Sequence, residues 1–242
     1  MFQCGRQKPM DTKGKTGMEL LSMQTMMHIG DQVPDFTAES SHGEIKFYDY
    51  IGDNWACLFS HPKDFTPVCT TELGRVAQLK DEFAARKIKV IALSCDSLAS
   101  HAKWKGDIET SQNCTVDFPI IADSDRRIAV RFGMLDQTRL GKAGMPEVVR
   151  SVFFIGPDKY CKALITYPAS TGRNFNEILR VFDSLQLTAS KKVVTPADWQ
   201  KGKACIIGPS IPDDDAKKIF GTYNSVLPYL REVPDPSSPT AK

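Results

Sequence analysis

Short, nearly continuous apolar runs recur along residues 54–167, and they constrain the fold more than any other feature. The runs NWACLFS (54–60), IKVIALS (88–94) and VVRSVFFI (148–155) contain few polar residues, which predicts strands that are buried on both faces. Segments with apolar residues at helical spacing lie between them, for example residues 69–87 and SDRRIAVRFG (124–133). Strands that alternate with helices predict an α/β domain over residues 28–190, with a central sheet flanked by helices.

Smaller signals complete this domain. SSHG (40–43) predicts a hairpin turn between short strands near 33–38 and 44–48, and LASHAKWKGDIETSQ (98–112) reads as a helix. GPDK (156–159) predicts a tight turn that joins VVRSVFFI to a second antiparallel strand, YCKALITY. NFNEILRVFDSLQL (174–187) predicts an amphipathic helix, in which Asn174 and Glu177 have capping-box spacing.

The two ends of the chain differ from this alternating pattern. Residues 1–27 are polar and Met-rich without a secretory apolar core, and we predict a disordered extension. Residues 191–242 are rich in Pro and turn-forming residues, which predicts a small, irregular C-terminal domain with little core of its own.

Composition excludes several classes of function. Hydrophobic residues make up 41% of the 242-residue chain, and 31 basic against 29 acidic residues give a net charge of +2. This near-balance does not favour nucleic-acid binding or an anionic membrane surface, and no run reaches the roughly 18 apolar residues of a membrane span. We expect a cytoplasmic protein, with a mitochondrial location as the alternative because the extension carries a few basic residues.

The seven cysteines do not resemble a disulfide framework or a zinc ribbon. Their number is odd, their spacings are wide and no two form a C-x-x-C pair. Most are therefore expected to be reduced thiols that pack as small hydrophobic residues. They are Cys4, Cys57, Cys69, Cys95, Cys114, Cys161 and Cys205.

Cys69 differs from the others in its local sequence. In SHPKDFTPVCTTE (60–72) it follows a proline-rich loop that leaves a buried strand, and it lies at the start of a predicted helix. Ligands of open α/β sheets bind at this edge, and backbone N–H groups at a helix start favour an anion such as a thiolate. Thr66 could direct its hydroxyl toward the sulfur or toward a bound oxygen. The residues alone leave both a reactive and an inert buried cysteine open.

A family resemblance favours the reactive cysteine. The pattern P-x-x-x-T-x-x-C, formed by Pro62, Thr66 and Cys69, resembles the peroxiredoxin signature, and HPKDFTPVCTTELGRVAQL is similar to the one-cysteine subgroup. The similarity extends over residues 28–230. It implies a thioredoxin-like fold with a central mixed sheet, followed by a C-terminal dimerisation domain at 191–242. The implied activity is a thiol-dependent peroxidase that reduces H2O2 and organic hydroperoxides in antioxidant defence.

The same resemblance assigns the catalytic residues. It implies that Cys69 is the peroxidatic nucleophile, that Thr66 and Pro62 shape the peroxide pocket, and that Arg150 stabilises the thiolate and the departing oxygen. A guanidinium suits this task because it is permanently charged and a rigid hydrogen-bond donor.

Three supporting residues follow from the resemblance in the same way. Glu72 is expected to hold the active-site arginine in place, His61 matches the subgroup's active-site histidine, and Arg173 is expected to complete the arginine network. Without the resemblance, each also has a plain structural interpretation.

The resemblance also bears on how the oxidised cysteine is reduced. Two-cysteine members carry a resolving thiol in a V-C-P segment, where this chain has Val194, Thr195 and Pro196. Cys205 does not match that position, although a role as resolving thiol in a partner subunit stays open. We therefore expect an external thiol reductant, glutathione or a glutathione-linked protein, with no bound cofactor and no metal. A homodimer is expected, with higher oligomers possible.

Some one-cysteine members are also phospholipases, but the residues for that activity differ here. Asn54 replaces the nucleophilic serine and Tyr48 replaces the histidine, so that only Asp158 remains. An amide cannot act as the nucleophile, and we predict no serine-type phospholipase activity.

Two other functions are alternatives to the peroxidase. A peroxide sensor or redox-regulated chaperone would use the same cysteine as a switch. A disulfide oxidoreductase on a thioredoxin-like fold is disfavoured, because the C-x-x-C that it needs is missing from the sequence.

Overall fold

The structure is a computed structural model that describes residues 10–141 and 143–238. These residues divide into two compact units, with the division between Arg173 and Asn174. The predicted C-terminal domain, residues 191–242, is shorter than the second unit, which also includes the long helix Phe175–Ser190.

A mixed seven-stranded sheet forms the centre of the first unit. Its order is β2-β1-β5-β4-β3-β8-β9, and a separate hairpin, β6-β7, precedes β8 in the chain. The strands are β1 (Thr37–Ser40), β2 (Gly43–Lys46), β3 (Trp55–Ser60), β4 (Ile88–Ser94), β5 (Ile120–Ala122), β6 (Leu135–Leu140), β7 (Pro146–Val148), β8 (Arg150–Ile155) and β9 (Cys161–Tyr167).

The three apolar runs of the sequence are the middle strands of this sheet. β3 pairs in parallel with β4, so that Cys57 lies opposite Val90, and pairs antiparallel with β8, so that Cys57 also lies opposite Phe154. Every residue of β8 is buried, and so is every residue of β3 except Trp55. The mixed sheet flanked by helices confirms the predicted thioredoxin-like fold.

Helices of the first unit follow the predicted pattern with two differences. The predicted helix over 69–87 consists of two helices that meet at Leu79, and the end of the predicted strand 44–48 is helical. Gly133 ends its helix in a left-handed conformation with φ of 69°, as glycine allows. The helices are α1 (Gly17–Met23), α2 (Phe47–Ile51), α3 (Pro67–Gln78), α4 (Lys80–Ala85), α5 (Leu98–Gln112) and α6 (Arg127–Phe132).

The prediction of a disordered extension is wrong for residues 10–27. Thr16 and Glu19 form a capping box at the start of α1, and the side chain of Leu20 is fully buried in the core. The Gln24 side chain also accepts from the Leu135 N–H at 2.6 Å and donates to the Leu135 carbonyl at 3.3 Å. Residues 1–9, which include Cys4, lie outside the described residues.

The second unit is more regular than its sequence predicts. It contains a four-stranded antiparallel sheet of order β10-β11-β13-β12, and its own core includes Trp199, Cys205 and Ile207. The prediction of an irregular domain with little core is therefore wrong, because strands of two to four residues escape a search for longer apolar runs. The elements are α7 (Phe175–Ser190), β10 (Val193–Val194), β11 (Cys205–Ile207), α8 (Asp213–Phe220), β12 (Asn224–Leu227) and β13 (Leu230–Val233).

Within residues 10–141 and 143–238, no helix has the length and apolar character needed to cross a bilayer.

Candidate active site

The loop between β3 and α3 places Cys69 in the first turn of a helix. Thr66 is the N-cap residue of α3 and Pro67 is its first residue, a position where the missing N–H of proline costs nothing. The end of β3 is tied to β8, because the Ser60 hydroxyl donates to the Val149 carbonyl at 2.6 Å and accepts from the Ser151 N–H at 3.0 Å. The helix start that carries Cys69 is thereby held beside the start of β8.

Arg150, the first residue of β8, reaches the sulfur of Cys69. Its Nη1 lies 3.3 Å from Cys69 Sγ and donates to Glu72 Oε2 at 2.7 Å. Its Nε and Nη2 donate to the Ala169 carbonyl at 3.0 and 2.7 Å, which fixes the plane of the guanidinium. Cys69 is fully buried and Arg150 is 3% exposed, so this contact is made away from bulk water.

Glu72 joins this arginine to a second one. Its Oε1 accepts from the backbone N–H and the Nε of Arg173 at 2.8 and 2.9 Å, and its Oε2 accepts from Arg173 Nη2 at 2.7 Å. Arg173 also donates from Nη1 to the Ser151 carbonyl, and its guanidinium lies over the Phe59 ring at 5.0 Å. The expected roles of Glu72 and Arg173 in an arginine network agree with this geometry.

Two opposing effects act on the Glu72 carboxyl. Burial raises its pKa, but the hydrogen bonds and charge of Arg173, together with the charge of Arg150, outweigh burial and hold the pKa below its ordinary value. Glu72 is therefore ionised at neutral pH and neutralises one of the two guanidiniums. The remaining positive charge lies beside Cys69 Sγ, where it can stabilise negative charge that develops on an oxygen bound there.

The loop residues Pro62 and Thr66 differ in their exposure to solvent. Pro62 is buried, whereas Thr66 is half-buried and its hydroxyl donates to the Lys63 carbonyl at 2.8 Å. That bond leaves the lone pairs of the Thr66 oxygen for another donor. Between them, Phe65 has a positive φ of 55° and is 55% exposed, a strained backbone conformation for a bulky residue.

His61 belongs to a buried cluster that sequence reasoning missed. Its Nε2 lies 2.9 Å from Asp64 Oδ1, and the Nδ1 of His101 lies 2.7 Å from Asp64 Oδ2. His101 comes from α5, so the cluster depends on the fold and not on sequence spacing. The three side chains offer ligand atoms within 4.8 Å of one another and could also hold a metal ion. The four histidines showed no such grouping in the sequence.

Comparison with known proteins identifies the family of this chain. The AhpC/TSA family model matches residues 29–163, and the C-terminal domain of 1-Cys peroxiredoxin matches residues 184–222. The chain is 53% identical to peroxiredoxin-6 of Gallus gallus over 218 residues, which are 86% of this chain and 97% of the relative. It is also 53% identical to the 1-Cys peroxiredoxin of Dictyostelium discoideum, over 87% of this chain and 86% of that one.

This chain belongs to the AhpC/TSA family of peroxiredoxins. It is accordingly a thiol peroxidase, similar to the one-cysteine members. A cysteine-to-serine mutant of peroxiredoxin 6 from Arenicola marina superposes with a TM-score of 0.85 at 50% identity, over 88% of this chain and all of that one. A yeast mitochondrial 1-Cys peroxiredoxin superposes with a TM-score of 0.82 at 46% identity, over 86% of this chain and all of the yeast chain.

Four other thiols of this peroxiredoxin lie in environments that oppose ionisation. Burial raises the pKa of Cys57 to about 12 and the pKa of Cys161 and of Cys205 to about 11. Burial also raises the pKa of Cys95 far above its ordinary value. Cys95 nevertheless lines a cavity of about 350 Å3 together with Pro62 and Lys63, at the edge of the active-site loop.

The positions that would carry phospholipase chemistry have structural partners in this peroxiredoxin. The Asn54 amide donates to the Ile51 carbonyl, the Tyr48 hydroxyl donates to the Val33 carbonyl, and Asp158 pairs with Lys162 at 2.5 Å. The lack of serine-type phospholipase activity stays a prediction.

Proposed function

We propose that this peroxidase reduces H2O2 and organic hydroperoxides in antioxidant defence, and that an external thiol, glutathione or a glutathione-linked protein, restores Cys69. The observation that carries the proposal is the 3.3 Å approach of Arg150 Nη1 to Cys69 Sγ. The proposal needs no bound cofactor or metal, since both electrons for peroxide reduction come from the cysteine sulfur.

The oxidising half-reaction follows from this contact. The Cys69 thiolate attacks the distal oxygen of the hydroperoxide, a sulfur–oxygen bond forms and the O–O bond breaks. The sulfur is oxidised by two electrons to a sulfenic acid, and the other oxygen leaves as an alkoxide or hydroxide that takes up one proton. Arg150 donates to the sulfur and is placed to stabilise the negative charge as it passes to oxygen.

The reducing half-reaction uses two molecules of an external thiol. A first thiolate attacks the sulfenic sulfur and releases water as a mixed disulfide forms. A second thiolate then attacks the reductant's sulfur in that disulfide and regenerates Cys69. The V-T-P segment supports this route, because Thr195 pairs its hydroxyl with Ser184 where a resolving thiol would otherwise lie. The yeast neighbour is described as resolved through glutathione and thioredoxin systems.

The test compares reductants and cysteines side by side. We expect steady-state H2O2 consumption by the wild type with glutathione, its loss in Cys69→Ser and its retention in the control Cys205→Ser. Thioredoxin-dependent turnover that Cys205→Ser abolishes would contradict the one-cysteine mechanism. A single oxidation of Cys69 that neither glutathione nor thioredoxin reverses would favour the peroxide sensor instead.

A homodimer is part of the same proposal. β9 forms one edge of the seven-stranded sheet, and edge strands offer backbone groups to a second chain. Analytical ultracentrifugation should give about twice the chain mass of 26.9 kDa, and a monomer at micromolar concentration would contradict the dimer.

A further inference from the structure

A cavity of about 350 Å3 lies beside the active-site loop. Its lining comes from Pro62 and Lys63 of that loop, from Cys95 and Asp96 after β4, and from Arg126 and the β6–β7 hairpin. The Lys63 carbonyl accepts from the hydroxyl of Thr66, the N-cap residue of α3, so one wall of the cavity is bonded to the helix that carries Cys69. Sites for small molecules have volumes of roughly 300–1,000 Å3, so this cavity can hold a small organic molecule.

The hairpin wall of this cavity is held in place at two points. A Cβ on Gly17 of α1 would lie 2.2 Å from the Gly144 carbonyl oxygen, so a larger residue there would force the helix and the hairpin apart. At the second point, Arg126 Nε donates to the Pro146 carbonyl at 2.9 Å. The wall is therefore preformed, as is usual for small-molecule sites.

Arg126 has an uncommon backbone conformation. Its φ is 59°, in the left-handed region that few residues other than glycine occupy. Such a conformation costs about 1–3 kcal/mol and is typical of residues at binding and active sites. Two of the five N–H groups of its guanidinium donate to carbonyls, from Nε to Pro146 and from Nη1 to Ser124. Carbonyls carry no net charge, so these bonds leave the positive charge of the guanidinium for a ligand.

The two carboxylates in the lining already have partners of their own. Asp96 Oδ2 accepts from the Asp64 N–H and from the Ser94 hydroxyl, both at 2.9 Å. Glu147 Oε2 lies 3.6 Å from Arg139 Nη2, which offsets its charge. The acidic groups of the cavity therefore offer less to a ligand than its cations do.

The other lining side chains are cationic or apolar. Lys63 is exposed and Arg126 is half-buried, so both cations can be reached from solvent. Pro62 and Met145 offer apolar surface. The Cys95 thiol adds to that surface, because burial raises its pKa and keeps it neutral. A carboxylate with a short apolar body matches both kinds of surface, since arginine and carboxylate form strong charge-assisted hydrogen bonds.

We propose that this cavity binds the carboxylate-bearing part of a reaction partner of Cys69. Lys63 and Arg126 hold the carboxylate, and the short organic chain beside it packs against Pro62 and Met145. This proposal rests on the thiol peroxidase function. Two partners share the required chemistry: an acidic organic hydroperoxide, and glutathione, which carries two carboxylates. H2O2 has neither a carboxylate nor an apolar body and does not use the cavity.

The first test is calorimetric titration of the wild-type protein with hexanoate and with hexanol. The two probes have chains of the same length and differ in the carboxylate. We expect hexanoate to bind at least about 10-fold more tightly, because a hydrogen bond to a charged group contributes that much to affinity. Equal affinities, or no binding of hexanoate, would overturn the proposal.

Variants that remove one charge locate the binding. Arg126→Gln should weaken hexanoate binding about 10-fold. Lys63→Gln should weaken it about 2- to 5-fold, because an exposed ammonium contributes less. Arg127→Gln is the matched control, since it removes the same charge one residue further along, outside the lining of the cavity, and should keep the wild-type affinity.

Two results with these variants would contradict the proposal. Unchanged affinity in both cavity variants would place hexanoate elsewhere, and equal weakening in Arg127→Gln would mean that positive charge in general attracts it. Should Arg126→Gln fail to fold, unchanged affinity in Lys63→Gln alone overturns the proposal, because that exposed side chain can be replaced without loss of the fold.

Competition by hexanoate in the wild type distinguishes the two partners. If the cavity serves the hydroperoxide, saturating hexanoate slows oxidation of Cys69 by a carboxylate-bearing hydroperoxide but not by H2O2. If the cavity serves the reductant, hexanoate slows reduction of the oxidised protein by glutathione but not by dithiothreitol, which carries no carboxylate. Either result supports the proposal, and no effect on either half-reaction overturns it.

The proposed function and this proposal can fail separately. Lack of H2O2 reduction by the wild type would defeat the proposed function. Calorimetry does not depend on turnover, so it would still decide whether the cavity binds a carboxylate.

Discussion

Two buried clusters connect to the helix that carries Cys69, and each is built around one carboxylate. Glu72 accepts four hydrogen bonds from Arg150 and Arg173, and Asp64 accepts three from two histidines and a serine. The partners of Glu72 are permanently charged, whereas imidazoles titrate near neutral pH. The first cluster contacts Cys69 directly through Arg150, whereas the second reaches the helix of Cys69 through Trp104 and Thr70. The two carboxylates therefore differ in how closely they act on the reacting sulfur.

Removal of the Glu72 carboxylate should have the largest effect on the stability of the fold. Glu72→Gln leaves two buried guanidiniums without their shared counter-charge, and we expect a loss of roughly 3–5 kcal/mol in the free energy of unfolding. Urea unfolding of the wild type and variant measures this difference.

The same substitution at Glu177 is the matched control. Glu177 pairs with Arg180 at 2.5 Å, but it is 38% exposed, so its loss should cost less than about 1 kcal/mol. Equal losses in the two variants would show that the buried network does not depend on its carboxylate.

Arg150→Lys should slow the oxidation of Cys69 strongly but destabilise the fold only slightly. Lysine keeps the charge but cannot contact Cys69, Glu72 and the Ala169 carbonyl together, because it lacks the planar guanidinium. We expect Cys69 oxidation by H2O2 to slow by about 100-fold or more, as for loss of a preorganised donor. Stopped-flow measurement of Cys69 oxidation in the wild type and Arg150→Lys checks this expectation. Equal rates would show that the guanidinium contact with Cys69 Sγ does not contribute to the reaction.

The smallest expected effect is a loss of stability at low pH. The two clusters should lose stability in different pH ranges. His61 has a folded pKa below its ordinary 6.5, so the unfolded chain binds a proton that the folded chain does not, and stability falls as pH drops below 6.5. Glu72, whose folded pKa lies below 4.5, contributes stability that is lost only below about pH 4.5. We expect wild-type stability to fall between pH 7 and 5 through His61, because the unfolded chain gains a proton there that the folded chain does not bind.

The measurement is urea unfolding of the wild type and His61→Gln across this range. Asp123 acts in the opposite direction, because burial raises its pKa to about 6 and it gains stability as pH falls through that value. The wild type and His61→Gln share the Asp123 contribution, so it cancels in the difference between their free energies of unfolding. Parallel curves from pH 7 to 5 would refute the titration of His61 as the cause.

The sequence predicted the arginine cluster (Arg150, Glu72 and Arg173) better than the histidine cluster. The histidine cluster consists of His61, Asp64 and His101. Cys69, Thr66 and Pro62 form a local motif, and Arg150 in an apolar run is unusual enough to be noticed. Asp64 and His101 carry no such signal. They are 37 positions apart in sequence, and only the packing of α5 against α3 brings them together. Each alone has the sequence context of an ordinary loop or helix residue.

The prediction of disorder failed for residues 10–27 for a different reason. Its sequence contains Thr16 and Glu19 at capping-box spacing, a signal that polar composition concealed. The burial of Leu20 and the bonds from Gln24 to Leu135 arise from the tertiary fold, which no local pattern specifies. A seven-residue helix becomes stable here because it packs on an existing core.

The contact between Trp104 and His61 has an optical consequence. Indole emission responds to the charge and polarity of groups packed on the ring, and Trp104 touches His61 while bonding to the neighbour of Cys69. The chain has three tryptophans, so replacing Trp55 and Trp199 by phenylalanine would leave Trp104 as the single emitter. We expect the emission of that variant to report changes in the first turn of α3, without a dye or a coupled enzyme.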